Sequence, residues 1–406
     1  MNTIFQWTPM MLALLCVSAH GADSPEVQAP SSDSVKNQGK VRNQEEVMDQ
    51  EDEEDHKEDA NNLDIDAYLN LGIDHYGSFH DKKAKDSTTN YLLRKAKLGF
   101  DYRLNKEWRA ELGLNYSHEG NDQDLELGDA NIDYRGFKFA HIQVGRMLEP
   151  FGFERLGGFS SLITNERSLA TSVFAPGRSS YGIRLNDKKK AYTWALGVFQ
   201  ESSDSESPQS VTGRFTMAPV RGDAFTLHMG LAASYRDLQE QSFQIKDEAE
   251  VFSADNVVRS ARFDADTSTL LGGELAWLYK SVTFSSEVMS EQVTQTDDTQ
   301  WDYSGFYAQL SFLVTGEQRE YSKGEFKRIK PQSQYGAVEL VTRFSAVDLR
   351  DHELGAKAQV LLMGINYYLK KSFLIRLNYL MPDISGNALN DNPEGDAITL
   401  RAQYRF

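Results

Sequence analysis

From residue 67 onward, apolar side chains recur at every second position. Leu69, Leu71, Ile73 and Phe79 fall on one side of the first segment, and Tyr68, Asn70, Gly72, Asp74 and Tyr76 on the other. The next segment sets Leu92, Ala96, Leu98, Phe100 and Tyr102 against Lys95, Lys97, Gly99, Asp101 and Arg103. A third sets Trp108, Ala110, Leu112, Leu114 and Tyr116 against Arg109, Glu111, Gly113, Asn115 and Ser117. A period of two marks β-strands, because successive side chains point to opposite faces of a sheet. The same pattern predicts strands at 67–79, 91–104, 107–118, 125–135, 138–146, 179–186, 191–199 and 209–217. Eight more follow at 224–236, 268–279, 282–292, 302–314, 335–345, 357–369, 372–381 and 396–406, a total of sixteen.

The second face of these strands carries charges of both signs, and the connections alternate in length. Asn105-Lys106, Arg135-Gly136, Asp187–Lys190, Lys280-Ser281 and Lys370-Lys371 read as tight turns. Residues 80–90, 147–178, 237–267, 293–301 and 382–395 read as long loops. Short turns at one end and long loops at the other are the pattern of an outer-membrane barrel. Tyr102, Trp108, Tyr116, Trp277, Tyr279 and Tyr379 lie near strand ends, where interfacial aromatic girdles belong. The expected fold is all-β, a 16-stranded antiparallel transmembrane barrel. Hydrocarbon offers no partner to an unpaired backbone group, so such a sheet must close. At sixteen strands the interior is too wide for side chains to fill, which leaves an aqueous path. The last strand ends Ile398, Leu400, Ala402, Tyr404, Phe406, the form of end that barrel-assembly machinery recognises.

Composition narrows the class. Of 406 residues, 40% are hydrophobic and 25% charged, and the mean hydropathy is −0.53. Spanning helices of about 20 apolar residues are excluded by that balance. Lys plus Arg number 43 against 60 Asp plus Glu, a formal charge of −17, which argues against nucleic acid as a partner. Residues 1–21 read as a signal peptide, with a short apolar run at Met10–Ala19 and small residues before a cleavage point after Gly21. Cys16, the sole cysteine, lies in that leader behind Leu15, which is too large for lipoprotein processing. The mature chain therefore has no disulfide, thiol chemistry or Cys-ligated zinc. Residues 22–62 hold thirteen acidic and four basic side chains and read as a solvated tether. The barrel is expected over 63–406.

Several motifs resemble the phosphate-selective porin O and P family of Gram-negative outer membranes. Leu93-Arg-Lys-Ala-Lys-Leu-Gly-Phe100 is similar to its Arg-Arg-Ala-Arg-Leu-Gly strand. Val144-Gly-Arg146 with Glu149-Pro-Phe-Gly-Phe-Glu154 resembles the start of its third loop. Glu166-Arg-Ser-Leu169 and Phe174-Ala-Pro-Gly-Arg178 resemble the pair that closes that loop. Gly273–Trp277, Gly305-Phe-Tyr307, Thr315-Gly-Glu317 with Arg319, and Gly336–Glu339 leading to Arg343-Phe-Ser345 continue in family order. The resemblance covers about 67–406. It implies a homotrimer, a third loop folded inward as a constriction, and small anions, phosphate among them, as solutes. Where phosphate-selective members carry Ser-Ser-Lys in that loop, this chain has Ser160 and Ser161 but no lysine. The departure leaves a general anion preference as the expectation, with phosphate as the family's suggestion.

The pore-lining cations expected to set that preference are Arg94, Lys95, Lys97, Arg103, Arg184, Arg214, Arg343 and Arg376. Parity also turns Arg109, Arg135, Arg401 and Arg405 inward, with Asp74, Asp101, Glu111, Asp129, Asp133, Glu274, Glu287 and Glu339. The competing reading for any one of them is a paired wall charge that holds loop three. In the constriction the candidates are Glu154, Ser160, Ser161, Glu166, Arg167 and Arg178, with Glu166 or Arg167 salt-bridged to the wall. Residues 315–334 form an unusually long connection at the turn end, and Phe326 and Ile329 could tuck it into the barrel. An enzyme is the first rival class, but His56, His75, His80, His118, His141, His228 and His352 sit in no catalytic or metal-binding motif. A barrel plugged by residues 237–267 is the second. No cofactor is expected; the expected partners are solutes, outer-membrane lipid and lipopolysaccharide, assembly machinery through Phe406, and two further copies of the chain.

Overall fold

The computed structural model describes residues 62–77, 87–119, 122–204, 206–222, 224–386 and 395–405, without the side chains of 117–119 and 122–124. The leader, nearly all of the acidic tether, Phe79, His80 and Phe406 lie outside the described residues. The chain begins with β1 (Asn62–Gly77), β2 (Ser87–Arg103), β3 (Trp108–Glu119) and β4 (Asp122–Tyr134). Then come β5 (His141–Leu148), β6 (Ser179–Lys188), β7 (Tyr192–Gln200), β8 (Gln209–Arg221) and β9 (Phe225–Phe243). Short β10 (Lys246–Asp247) and β11 (Val258–Arg259) precede β12 (Phe263–Tyr279), β13 (Val282–Gln295) and β14 (Gln300–Leu313). Short β15 (Tyr321–Ser322) and β16 (Glu325–Phe326) precede β17 (Ala337–Asp348), β18 (Ala356–Tyr368), β19 (Phe373–Gly386) and β20 (Ala397–Arg405). The sixteen longer strands form one closed antiparallel barrel, while β10–β11 and β15–β16 pair as separate hairpins.

Closure is made by β1 against β20, from Tyr68 opposite Arg405 to Tyr76 opposite Ala397. The faces are inverted relative to a water-soluble protein. Leu231 is 69% exposed and Leu271 54%, whereas Asn70, Glu339 and Asn366 are fully buried. Apolar residues thus form the outer surface and polar ones the inner, as a barrel in lipid requires.

Several boundaries differ from the sequence reading, for one reason. Hydrophobic alternation stops at the rim of the apolar band, but backbone pairing continues beyond it with polar side chains. β9 and β12 therefore run on past 236 and start before 268, and Phe263 pairs with Phe243. Residues 293–301, expected as a long loop, shrink to a four-residue turn at 296–299 between β13 and β14. Conversely Arg135-Gly136 is no tight turn: the connection spans 135–140, because β5 starts at His141. A β-bulge also shifts the pairing of β1 with β2, since Asn70 faces Lys95 but Leu71 faces Leu93. Arg94 is the extra residue.

Three connections carry structure of their own. Residues 149–178, at the loop end, hold α1 (Phe153–Leu156), a 3₁₀ turn at Phe159–Ser161 and α2 (Leu169–Phe174). Residues 244–262, also at the loop end, carry β10–β11, and 314–336, at the turn end, carry β15–β16. The first two join the wall in one apolar cluster that includes Phe151, Leu169, Phe174, Val251, Val258, Leu270, Met289 and Val347. The third connection contributes Ile329 to a smaller cluster with Leu313, Ala337, Tyr368 and Leu374.

Leu271 lies midway along β12 on the outer face, so it tests the inversion directly. Leu271→Arg should cost about 2–4 kcal/mol of stability in lipid vesicles, read by urea unfolding, as a cation does at mid-bilayer. An unchanged unfolding midpoint would place this face away from hydrocarbon.

Candidate functional site

Loop three (149–178) owes its position to wall side chains that satisfy its backbone. Gly152, with φ of +78°, turns the chain so that the first N–H groups of α1 point at the wall. There the Glu287 carboxylate of β13 accepts from Phe153 N–H at 2.6 Å and Glu154 N–H at 2.9 Å. Tyr307 donates its hydroxyl to the same carboxylate at 2.9 Å. These are helix-end donors with no partner inside the helix, and an anion there is favoured by the helix dipole as well. Further along, Asn165 N–H donates to Asn378 Oδ1 at 2.8 Å, and its side chain donates to Thr399. Asn366 donates to the Ile163 carbonyl at 2.7 Å, and Arg376 donates to that of Leu162.

Arg343 of β17 is the centre of the clamp. Its guanidinium donates to Thr164 Oγ1 at 2.6 Å, Glu154 Oε1 at 3.2 Å and the carbonyls of Glu166 and Arg167. It also pairs with Glu250 from loop five (244–262). Glu250 in turn accepts from the Leu169 N–H at the start of α2, at 2.7 Å, and from Ser345. One cation thus ties two loops to one strand.

Glu166 makes the second tie. Arg94 donates to it from two nitrogens, at 2.8 and 2.7 Å, and Arg401 of β20 lies at 3.2 Å. Burial alone would raise the Glu166 carboxyl, but Arg94 and then Arg401 outweigh it and hold its pKa below the ordinary value. The bulge explains how Arg94 and Lys95, adjacent in sequence, both serve the interior. Strict alternation would send one of them into lipid.

The candidate cations divide into two groups. Arg343 and Arg376 are each only 1% exposed and lie beneath loop three, so the expectation that they line the open path is corrected. Arg214 is likewise taken up, donating to both oxygens of Glu274 at 2.7 Å. Inward parity is right for all three; what alternation cannot reveal is the loop that covers them. Arg184 donates to Gln143 and to the Leu148 carbonyl. Arg103 faces Asp64 at 3.7 Å with half its side chain exposed. Lys95 sits 5.7 Å from the Phe159 ring, and neither it nor Lys97 has an ion-pair partner among the described residues. In the loop, Arg167 stays local over Phe159 at 5.5 Å, so Glu166 rather than Arg167 reaches the wall. Arg178 is 3.9 Å from Glu126 and largely exposed. Ser161 donates to Gly158 O at 2.8 Å, and the Ser160 carbonyl accepts from Gln403. Glu250, Asn165, Asn366 and Asn378 carry the clamp but stand in no motif, and inward parity was the only signal for the last two.

Open space remains where the clamp is not. A cavity of about 500 Å³ is bordered by Lys95, Lys97, Arg155, Arg167, Arg178, Lys327, Arg328, Arg405, Ser160 and Ser161, with Asp66, Glu126, Asp129 and Glu325 as its acids. A second, of about 280 Å³, is bordered by Arg184, Arg214, Lys188, Lys323, Glu111 and Asp129. Asp129, Leu148, Leu156 and Glu325 border both, so the spaces adjoin along the β2–β8 side. A low-dielectric wall amplifies the cationic bias of such a path.

The turn-end insert (314–336) lies inside the barrel. Arg319 pairs with the fully buried Glu339 of β17, and Tyr368, Asn366 and Ser311 donate to that same carboxylate. Tyr321 shares a 2.7 Å hydrogen bond with His228 of β9. Phe326 packs edge-on against Phe153 of α1, with ring centroids 4.8 Å apart. The insert therefore touches loop three from the opposite end of the barrel. Of the histidines, His75 bonds Thr89 and His228 bonds Glu274 and Tyr321. The side chain of His118 is outside the described residues.

The phosphate-selective porin O and P family model matches residues 65–406. Porin O of Pseudomonas aeruginosa is 23% identical, over 83% of this chain and 87% of its own. An uncharacterized protein of Caulobacter vibrioides is 24% identical, over 72% of this chain and 63% of its own. Among solved structures, the trimer form of OmpT, an outer membrane protein of Vibrio cholerae, has a TM-score of 0.54 at 8% identity, covering 86% of this chain and 100% of that one. The anion-selective porin from Comamonas acidovorans has a TM-score of 0.51 at 12% identity, with the same coverage.

Removing Arg343 leaves Glu154 and Glu250 buried without their cation. Arg343→Ala should therefore cost about 3–5 kcal/mol and free loop three, seen as new protease cleavage within 155–167 of the folded barrel. Continued protection would assign the clamp to the asparagines instead. For the insert, trypsin added at the turn end should leave Lys323 to Lys330 uncut until the barrel is heated. Rapid cleavage at ambient temperature would show that the insert swings out.

Proposed function

The chain belongs to the phosphate-selective porin O and P family and is an outer-membrane channel, and on that footing we propose that it is an anion-preferring diffusion pore for small hydrophilic solutes. The observation that carries the preference is the larger cavity, where Lys95 and Lys97 stand without carboxylate partners amid further cations. Charge that is already paired attracts little. Arg214, Arg343, Arg376 and Arg401 are each bonded to acids or carbonyls of the barrel and its loops, so the selecting field belongs to the cations outside the clamp. Lys95 and Lys97 are the residues assigned to it, with Arg178 and Arg184 at the edges of the open space, partly engaged by Glu126 and by the Leu148 carbonyl. Phosphate among the anions follows the family. Lysines, as point charges, hold it less well than planar guanidinium forks do.

The working unit in this reading is a homotrimer, exported through removal of residues 1–21 and inserted by assembly machinery that recognises Phe406. Lipid and lipopolysaccharide then cover its outer face. A second reading, a barrel closed by its loops, is favoured by one observation: loop three, loop five and the turn-end insert all pack inside the wall.

One measurement separates the two. In planar bilayers under a potassium chloride gradient, the wild type should show steady open steps and a reversal potential of anion sign. Absence of steps from a folded trimer would favour the closed barrel. Changing Lys95 and Lys97 together to Glu should move the reversal potential toward that of cations. A double variant identical to wild type would remove these side chains from the ion path.

A further inference from the structure

Phe159, in the 3₁₀ turn of loop three, stands among charges rather than in a core. Arg94 lies 4.8 Å from its ring centroid, Arg167 5.5 Å and Lys95 5.7 Å. Tyr68 meets the ring edge-on at 6.3 Å. The ring is half-buried, belongs to neither apolar cluster of the barrel, and borders the cavity of about 500 Å³. Loop three is held by Glu287, Arg343, Asn366 and Asn378, so Phe159 is not among its anchors.

The cavity beside the ring is amphipathic. Leu127, Leu148, Leu156 and Phe326 border it together with its cations. Its volume falls within the range of about 300–1,000 Å³ usual for small-molecule sites, which set a few placed polar groups in apolar walls. A hydrated inorganic ion gains nothing from such walls, whereas a solute with an apolar body sheds water against them. The three cations differ in what they have left to offer. Arg94 is occupied, since it donates twice to Glu166 and also lies 3.7 Å over Phe252. Arg167 makes long hydrogen bonds, of 3.4 Å, to carbonyls of its own loop, and Lys95 has no carboxylate partner among the described residues. Aromatic rings pair with centroids about 4.5–7 Å apart. A ligand ring seated in this way on Phe159 brings a carboxylate attached to it within reach of the Lys95 ammonium. Arg167 can then lie over the ligand ring as it lies over Phe159.

We propose that Phe159, with Lys95 and Arg167 around it, forms a subsite for a small aromatic carboxylate, so that the channel selects by the ring of a solute as well as by its charge. The subsite rests on the anion-preferring reading above and deepens it. Charge draws the solute in, and the ring sets how long it stays. A saturated acid of the same charge meets the same lysine but offers no π face to Phe159 or Arg167.

Benzoate and cyclohexanecarboxylate carry the same carboxylate on rings of similar size, and only the first ring is aromatic. The test compares their block of single-channel chloride current through the full-length wild-type channel in planar bilayers. Benzoate should half-block at a concentration about fivefold below that of cyclohexanecarboxylate, the scale of an aromatic pair with a cation beside it. A merely apolar wall would favour the saturated acid, which water solvates less well. Phe159→Leu keeps apolar bulk and loses the ring, so the ratio of the two half-blocking concentrations should fall to about one, whereas Phe159→Tyr should keep it. Each ratio is taken within one channel, so a change of bore does not enter it. Benzoate should also raise the melting temperature of the detergent-solubilised wild type more than cyclohexanecarboxylate does, since a ligand stabilises a protein in proportion to its binding. Equal block of the wild type by the two acids, or an unchanged ratio in Phe159→Leu, would overturn the subsite. A wild type without anion preference under the salt gradient would instead overturn the channel reading, so the two failures are distinct. Should Phe159→Leu fail to assemble, Phe159→Ile, also without a ring, takes its place with the same expected ratio.

Discussion

A strand in hydrocarbon must find a neighbour for every N–H and C=O, and the last strand must find the first. The ladder between β1 and β20 meets that demand and makes the wall a closed surface. Everything irregular in the chain is then confined to the ends or the interior. Loop three lies in the interior, where its backbone groups face the same demand, and it meets that demand with side chains. Glu287 takes the N–H groups that begin α1; Arg343, Arg376 and Asn366 donate to the carbonyls. The clamp is thus the irregular counterpart of the ladder.

This requirement sorts the interior charges. On the side of β12 to β20, arginines and carboxylates are spent on holding loops, and their net field is small because opposite charges adjoin. On the side of β2 to β8, side chains such as Lys95, Lys97 and Arg184 border open space. Buried ion pairs are poor sources of stability relative to apolar packing, but breaking one is costly. Arg343 fits that asymmetry. It adds little cohesion beyond what hydrophobic residues could give, yet it admits one arrangement of two loops.

The barrel was legible because alternation along a strand is a local property. Leu69, Leu71 and Ile73 against Asn70, Gly72 and Asp74 declare both the element and its two faces. The rims were less legible, since the strands outlast their apolar stripe, as β9 and β12 do. Arg94 was expected among the pore-lining cations, but it reaches the interior through a bulge that alternation from Lys95 does not reveal, and there it is spent on Glu166 of loop three. The roles of Arg214, Arg343 and Arg376 were beyond reach for another reason. Whether an inward arginine meets solvent depends on residues such as Glu154, Glu250 and Glu274, and most of these lie far away in sequence. Parity gives a direction, not a destination.

That remoteness has a bearing on how the chain reaches its final form. Loop three spans residues 149–178, but its anchors are Glu287, Arg343, Asn366, Arg376, Asn378, Thr399 and Arg401. Contacts so distant along the chain form slowly, because loop-closure entropy must be overcome before they can reward it. Seating of loop three therefore waits until β13 and β17 to β20 have joined the wall, and with it the narrowing of the lumen. A barrel still under assembly has a wide bore, and loop three is the last part to be seated.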